Sequence, residues 1–204
     1  CVKFMGTAKT SIDNDINGID VTIGTDTAIN TALGAIDNIR DTATSMERIF
    51  IVEVMGRESG FIALSVALAG GCEDVIIPEI KFDLQNTCHS IVNGNIRGKI
   101  SWIIVVAEGA GHAEDIAKKI NEITSLETRA VVLGHIQRGG RPTAFSRDLA
   151  LNLGCAAVDC LLRGETNKAV ALSYGKIITV DLEFAIKKKE LKVDSLYDLI
   201  KILT

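Results

Sequence analysis

Four short, β-branched runs, each separated from the next by a stretch of helical periodicity, constrain this chain more than anything else in it. They are R-I-F-I-V-E-V (48–54), V-I-I (75–77), W-I-I-V-V-A (102–107) and A-V-V-L (130–133). Residues of this kind fit a pleated, buried surface. Between them, helices are expected over 60–69 (closed by Gly70-Gly71), 83–93 and 113–123. Ahead of them, Ile29, Ala32, Leu33, Ile36 and Ile39 recur at intervals of three and four, which marks a helix over 20–40 that the polar run 41–45 should end. Such alternation indicates βαβ units, hence an α/β protein with mostly parallel sheets flanked by helices. Downstream, the pattern predicts a long helix over 145–162 and two short strands, 168–172 and 176–180, paired across Tyr174-Gly175. A short amphipathic helix is expected over 195–203.

The chain is long enough, at 204 residues and 47% hydrophobic, to bury a sizeable core. No apolar run approaches the roughly 18 residues of a membrane span, and no long apolar segment follows Cys1–Met5 as a signal peptide would need. Five cysteines, with no C-x-x-C pair and no metal-type spacing, read as reduced thiols, mostly buried, in a cytoplasmic protein with no metal site of its own. A net charge of −4 argues against nucleic acid as a partner. A first residue of Cys rather than Met is what a piece of a longer protein would show.

In open α/β sheets ligands gather beyond the carboxyl ends of the strands. Met55-Gly56-Arg57, Glu108 and His135 all stand just past a predicted strand end. With Arg48, Arg129 and Arg138 they make four guanidiniums, an imidazole and a carboxylate at strand ends or adjoining loops. Any one of these arginines alone reads as a solvated surface charge, and His135 alone as a satisfied histidine. Together they suit an anionic, hydroxylated ligand, because Arg gives bidentate bonds to phosphate oxygens and Glu accepts hydroxyl hydrogens. The loop Gly134-His135-Ile136-Gln137-Arg138-Gly139-Gly140 adds glycines that permit close backbone approach.

Near the start, Thr10-Ser11-Ile12-Asp13-Asn14-Asp15 puts two carboxylates, an amide and two hydroxyls within six residues. The bland reading is a polar turn with an Asx cap. The chemical one is a phosphoryl-transfer site, where one carboxylate accepts a hydroxyl proton. No G-x-x-x-x-G-K-[ST] or G-x-G-x-x-G occurs, so no complete nucleotide phosphate cradle is visible. The residues read as a sugar-phosphate site facing a carboxylate pair.

I-D-N-D (12–15), V-E-V-M-G-R (52–57), A-G-G-C-E (69–73), V-L-G-H-I-Q-R-G-G (132–140) and Arg147-Asp148 resemble bacterial-type 6-phosphofructokinase, in order and spacing from Ser11 to about Gly164. The resemblance implies a two-lobed enzyme that transfers phosphoryl from ATP to the 1-hydroxyl of fructose 6-phosphate. Asp13 would be the base, Asp15 its support, and Ser11 a hydroxyl touching the transferred group. Ile12, Met55, Gly56, Arg57, Glu108, His135 and Arg138 would face fructose 6-phosphate, while Arg48 and Arg129 would reach the 6-phosphate of a neighbouring subunit in a homotetramer. Arg40, Gly71, Cys72, Glu73, Arg97 and Lys99 fall where the family binds an allosteric nucleotide or phosphoenolpyruvate. The lobes would divide as 1–23 (end of a nucleotide-lobe segment with the catalytic loop), 24–137 (sugar-phosphate lobe), 138–190 (return to the nucleotide lobe) and 191–204 (C-terminal helix).

The family's amino-terminal portion, which holds ATP and Mg2+, has no counterpart here, so those sites would lie mostly outside this chain. Ala8-Lys9-Thr10-Ser11 stands where the family has Pro-Gly or Pro-Lys followed by Thr. A lysine in that loop is associated with pyrophosphate as donor, although Lys9 falls one residue early. The alternatives are therefore a pyrophosphate-dependent enzyme, a non-catalytic sugar-phosphate-binding subunit, or an incomplete product with exposed apolar strands.

Overall fold

A computed structural model describes residues 11–203; the expectations attached to Lys9 and Thr10 lie outside the described residues. The chain divides into two compact units. One holds Ile29–Gln137 and Leu191–Thr204, the other the chain up to Ala28 together with Arg138–Glu190.

The first unit is built on a four-stranded parallel sheet of β1 (Ile49–Val54), β2 (Asp74–Ile76), β3 (Trp102–Ala107) and β4 (Thr128–Val132), in the order β2-β3-β1-β4. β1 and β3 are buried along their whole length, as β-branched runs covered on both faces should be. Ile49, Ile51, Trp102, Ile104 and Val106 pack with Ile91 of α3 (Leu84–Ile96) and with Ile116 and Ile120 of α4 (Ala113–Thr124). α2 (Phe61–Ala69) packs against β2 and β3, and α7 (Asp194–Leu203) against α2 and β2. Right-handed crossovers put the helix of a leftward connection and that of a rightward one on opposite faces. The β1-to-β2 and β3-to-β4 connections run in opposite directions from the neighbouring pair β1 and β3. The carboxyl ends of β1 and β3 are therefore the switch point, where a crevice opens in folds of this kind.

α1 (Thr25–Met46) is longer than the sequence suggested and starts later. The polar run 41–45 does not end it, because Ala43 is 1% exposed and anchors the last turns while its polar neighbours face outward. A continuous helix needs only one buried stripe. The loop expected over 134–140 likewise opens with a single 3-10 turn, Gly134–Gln137.

In the second unit, α5 (Ala144–Leu162) packs on an antiparallel hairpin of β5 (Lys168–Ser173) and β6 (Lys176–Asp181), whose turn uses left-handed Tyr174 and Gly175. A short helix that the sequence did not announce, α6 (Leu182–Ala185), follows. Thr143 caps α5 by accepting from the Ser146 amide at 3.2 Å, and its hydroxyl meets the Asp26 carboxylate. Leu149 and Leu153 are buried, whereas Leu151, Val158 and Leu162 line an exposed apolar stripe on α5. Cys72, Cys88 and Cys160 are buried free thiols and Cys155 is exposed.

An ion pair ties α7 to the start of β2. Lys201 Nζ lies 2.6 Å from Oδ1 of Asp74, a buried carboxylate that also accepts from the Val75 amide at 2.8 Å and the Thr87 hydroxyl at 2.9 Å. Lys201→Met should lower the urea midpoint by the equivalent of about 1–2 kcal/mol with the slope unchanged, since Asp74 keeps its other two donors. No shift of the midpoint would mean the pair is solvated and does not hold the helix.

Candidate functional site

The turn after β1 bends sharply: Gly56 has φ 145° and Arg57, which carries a side chain, φ 51°. Three successive amides of this turn are captured by side chains from neighbouring strand ends. Met55 N–H donates to Gln137 Oε1 at 2.8 Å. Gly56 and Arg57 N–H both donate to Glu108 Oε1, at 3.1 and 2.7 Å. Glu108 follows β3 directly, and its own amide closes on Val54 O at 3.0 Å. Its neighbour has no freedom in size: a Cβ on Gly109 would stand 2.0 Å from the Arg57 carbonyl oxygen. The two turns touch backbone to backbone. Met55 and Gly56 are buried, Glu108 is half-buried, and Arg57 and His135 are exposed.

Glu53 supports the same region from within β1. Its Oε2 accepts the Ala113 amide at 2.8 Å, at the positive end of α4, with His112 Nδ1 3.8 Å away. Glu53 and Gln137 lie inside V-E-V-M-G-R and V-L-G-H-I-Q-R-G-G, yet neither is among the residues expected to act. For Glu53 the signal was there, since a carboxylate inside an apolar strand run must find a donor; Gln137, 1% exposed, carried none.

The arginines do not all gather at this end. Arg48 precedes β1 and Arg129 lies early in β4, opposite Phe50, so both stand at the amino ends of parallel strands. The length of β1 puts them roughly 20 Å from the Glu108 turn. Of the six polar groups, Arg48 and Arg129 therefore stand apart from Glu108, at the opposite ends of their strands. Arg48 Nε lies 2.8 Å from Glu127 Oε2, and Arg129 pairs with the other oxygen of the same carboxylate. Arg48, and after it Arg129, holds the Glu127 carboxyl below its ordinary range.

The residues expected at an effector site fall into two contacts and an exposed helix end. Arg40 donates to the carbonyls of Gly70 and, at 3.0 Å, Gly71. Glu73 accepts the Ile103 amide at 2.6 Å and pairs with Lys99 at 3.2 Å; the Lys99 ammonium lies 4.7 Å from the Trp102 ring centre. Arg97 caps the carboxyl end of α3 and is exposed. Cys72 is sealed in, and burial pushes its thiol up to about 12, against the opposing pull of the Arg40 charge.

In the other unit, Asn14 organises the D-N-D turn. It is fully buried with φ 54°, a left-handed conformation that Asn tolerates. Its Nδ2 donates to Asp20 O and its Oδ1 accepts the Thr22 amide, both at 3.0 Å. Thr22 and Thr25 hydroxyls hold the carbonyls of Ser11 and Ile12. Within this clasp Asp13, 3% exposed, accepts the Ser11 hydroxyl on Oδ2 at 3.1 Å. Asp15 is half-buried. Lys189, whose ammonium donates to Ile19 O at 2.7 Å, is held below its ordinary pKa by burial, against the pull of Asp20 and Asp15. Arg138 is exposed in this unit. Asn14 thus makes the polar turn, and Asp13 sits nearly buried within it.

Comparisons with known proteins agree on one family. The model for phosphofructokinase matches residues 2–161. ATP-dependent 6-phosphofructokinase of Clostridium acetobutylicum is 47% identical over 203 residues, covering 100% of this chain and 63% of the relative. That of Bacillus velezensis is 48% identical over 204 residues, with the same coverage. Among solved structures, phosphofructokinase from Saccharomyces cerevisiae superposes with a TM-score of 0.82 at 33% identity, over 95% of this chain and 27% of that one. A pyrophosphate-dependent phosphofructokinase from Marinobacter aquaeolei gives 0.78 at 25%, over 91% and 53%. The chain thus spans 63% of the length of the curated relatives it matches.

Two outcomes test this geometry. Gly109→Ala should destabilise the fold by about 1–3 kcal/mol in urea titrations, because backbone on both sides must part; a neutral result would show that the turns do not touch. Between the ordinary value of 9.0 and about 12, the Cys72 thiol ionises only in the unfolded chain, so the folded state holds the extra proton and stability falls as pH rises above 9. This component amounts to about 1.4 kcal/mol per pH unit. Between pH 8 and 10, Cys72→Ala should therefore lose less stability than the wild type, and an equal loss would place the thiol in water.

Proposed function

The chain belongs to the phosphofructokinase family, and we propose that it carries the acceptor side of ATP-dependent 6-phosphofructokinase chemistry in cytoplasmic glycolysis. In this reaction the γ-phosphoryl group of ATP passes to the 1-hydroxyl of fructose 6-phosphate. The observation that carries the reading is Asp13, nearly buried, supported by the Ser11 hydroxyl and fixed by the Asn14 clasp. Phosphoryl transfer asks mainly for positioning and charge neutralisation. The sugar's O1–H proton passes to the Asp13 carboxylate as O1 bonds to the γ-phosphorus. The bond from that phosphorus to the β–γ bridging oxygen breaks, and ADP leaves with the electron pair.

Asp15 supports Asp13, and Ser11 touches the group in flight. Ile12, Met55, Gly56, Arg57, Glu108, His135 and Arg138 bind the sugar phosphate. Glu108 spends one oxygen on two backbone amides, which leaves Oε2 to accept a sugar hydroxyl. Arg48 and Arg129, at the far ends of their strands, serve the 6-phosphate bound to a neighbouring subunit of a homotetramer. Arg40, Gly71, Cys72, Glu73, Arg97 and Lys99 take a nucleotide or phosphoenolpyruvate as effector. Residues 24–137 then act as the sugar-phosphate lobe and 138–190 as the return to the nucleotide lobe, a division supported by the compact unit that holds Ile29–Gln137. Mg2+ accompanies the phosphates of ATP. Among the described residues no three His, Cys, Asp or Glu side chains gather as a metal site, so they do not fit a complete Mg2+ site and no step is assigned to the ion.

ATP is favoured over pyrophosphate as donor by the names of the relatives at 45–48% identity. The pyrophosphate-dependent neighbour stands at 25%. Calorimetric titration of the chain should show binding of fructose 6-phosphate, weakened at least tenfold by Arg57→Ala. In the turnover-competent enzyme, Asp13→Ala should abolish transfer with sugar-phosphate affinity within about threefold. A near-normal rate in Asp13→Ala would remove Asp13 from the chemistry, and turnover with pyrophosphate but not ATP would reverse the choice of donor.

A further inference from the structure

The backbone ladder between β1 and β4 ends at Glu53 paired with Val132, closed by the Leu133 amide on Glu53 O at 3.0 Å. One more rung follows, and a side chain makes it. Gln137 closes the 3-10 turn after β4, and its Oε1 accepts the Met55 N–H at 2.8 Å. The orientation of the amide follows from chemistry, since an N–H can be met only by the oxygen. Gln137 Nε2 is buried and finds no hydrogen-bond partner among the described residues. A Leu or Met would fill the same space without stranding a donor, but it would leave the Met55 amide, on a residue 4% exposed, unmet. The bond to Met55 is therefore what the glutamine supplies. Two residues earlier on the same turn is His135, exposed, and two residues beyond Met55 is Arg57, also exposed.

We infer that Gln137 is a positioning residue: it locks the His135 turn to the Met55-Gly56-Arg57 turn and so sets the affinity for a phosphorylated sugar without touching it. This rests on the sugar-phosphate reading given above. With the latch intact, the two exposed cationic or polar groups keep a fixed spacing before ligand arrives, and little ordering remains for binding to supply. With it cut, the turns lose that bond and keep the last ladder bond, and a displacement of about an ångström is enough to spoil the alignment.

The test uses the 204-residue chain, fructose 6-phosphate as probe, calorimetry, and amide hydrogen exchange read at Met55 and, as an internal control, at Ile104 in β3. Gln137→Met should raise Kd at least tenfold and speed exchange at Met55 while Ile104 stays protected. A Kd within twofold of wild type while the Met55 amide opens would overturn the inference. Should Gln137→Met fail to fold, Gln137→Asn keeps the polarity but shortens the reach, and the same pair of outcomes applies. The two levels fail differently. No binding by the wild-type chain brings down the sugar-phosphate reading, and the positioning role of Gln137 with it; binding that ignores both variants brings down the inference alone.

Discussion

The capture of three consecutive amides at the end of β1 is the constraint on which the first unit depends. A turn that leaves a buried sheet must find partners for its N–H groups or bear the cost of stranding them. Here the partners are two side chains, Glu108 from the end of β3 and Gln137 from the turn after β4. The strand order brings those ends to either side of β1, so the topology and the site are one arrangement seen at two scales. Gly109 belongs to the same constraint, because the turns approach too closely for any side chain between them.

The same device recurs in the other unit. The D-N-D turn has no ladder to lean on, and Asn14 supplies one donor and one acceptor in place of a backbone partner while the threonine hydroxyls hold the preceding carbonyls. In both places an irregular backbone segment is held by side-chain hydrogen bonds, from neighbouring strand ends in one and from Asn14 itself with Thr22 and Thr25 in the other. Rigid irregular backbone is what a site needs when its work is to place groups rather than to supply unusual chemistry.

The sheet was legible in the sequence because burial on both faces writes itself as β-branched runs: 102–107 was read to the residue and 48–54 to within one. Helix ends were less so. α1 runs through four polar residues, since the buried Ala43 among them is enough to continue it, and composition alone does not show which face a residue occupies. The motif glycines and Glu108 could be placed from strand ends. So could the separation of Arg48 and Arg129 from them, since both stand at or before the start of their runs in chain order and the strands are parallel. Gln137 stayed hidden for another reason: its role is a bond to a residue 82 positions away, and no periodicity encodes that.

The exposed stripe of Leu151, Val158 and Leu162 on α5 has a consequence for how the protein behaves in bulk. An apolar strip on the surface gives two molecules a short-range attraction, and the net charge of −4 opposes it weakly over a distance set by salt. Adding salt removes the repulsion and leaves the attraction, and strongly excluded salts such as sulfate add to it. The colloidal state of this protein, dispersed or self-associated, is thus a property of the solvent as much as of the fold, and the two must be varied together.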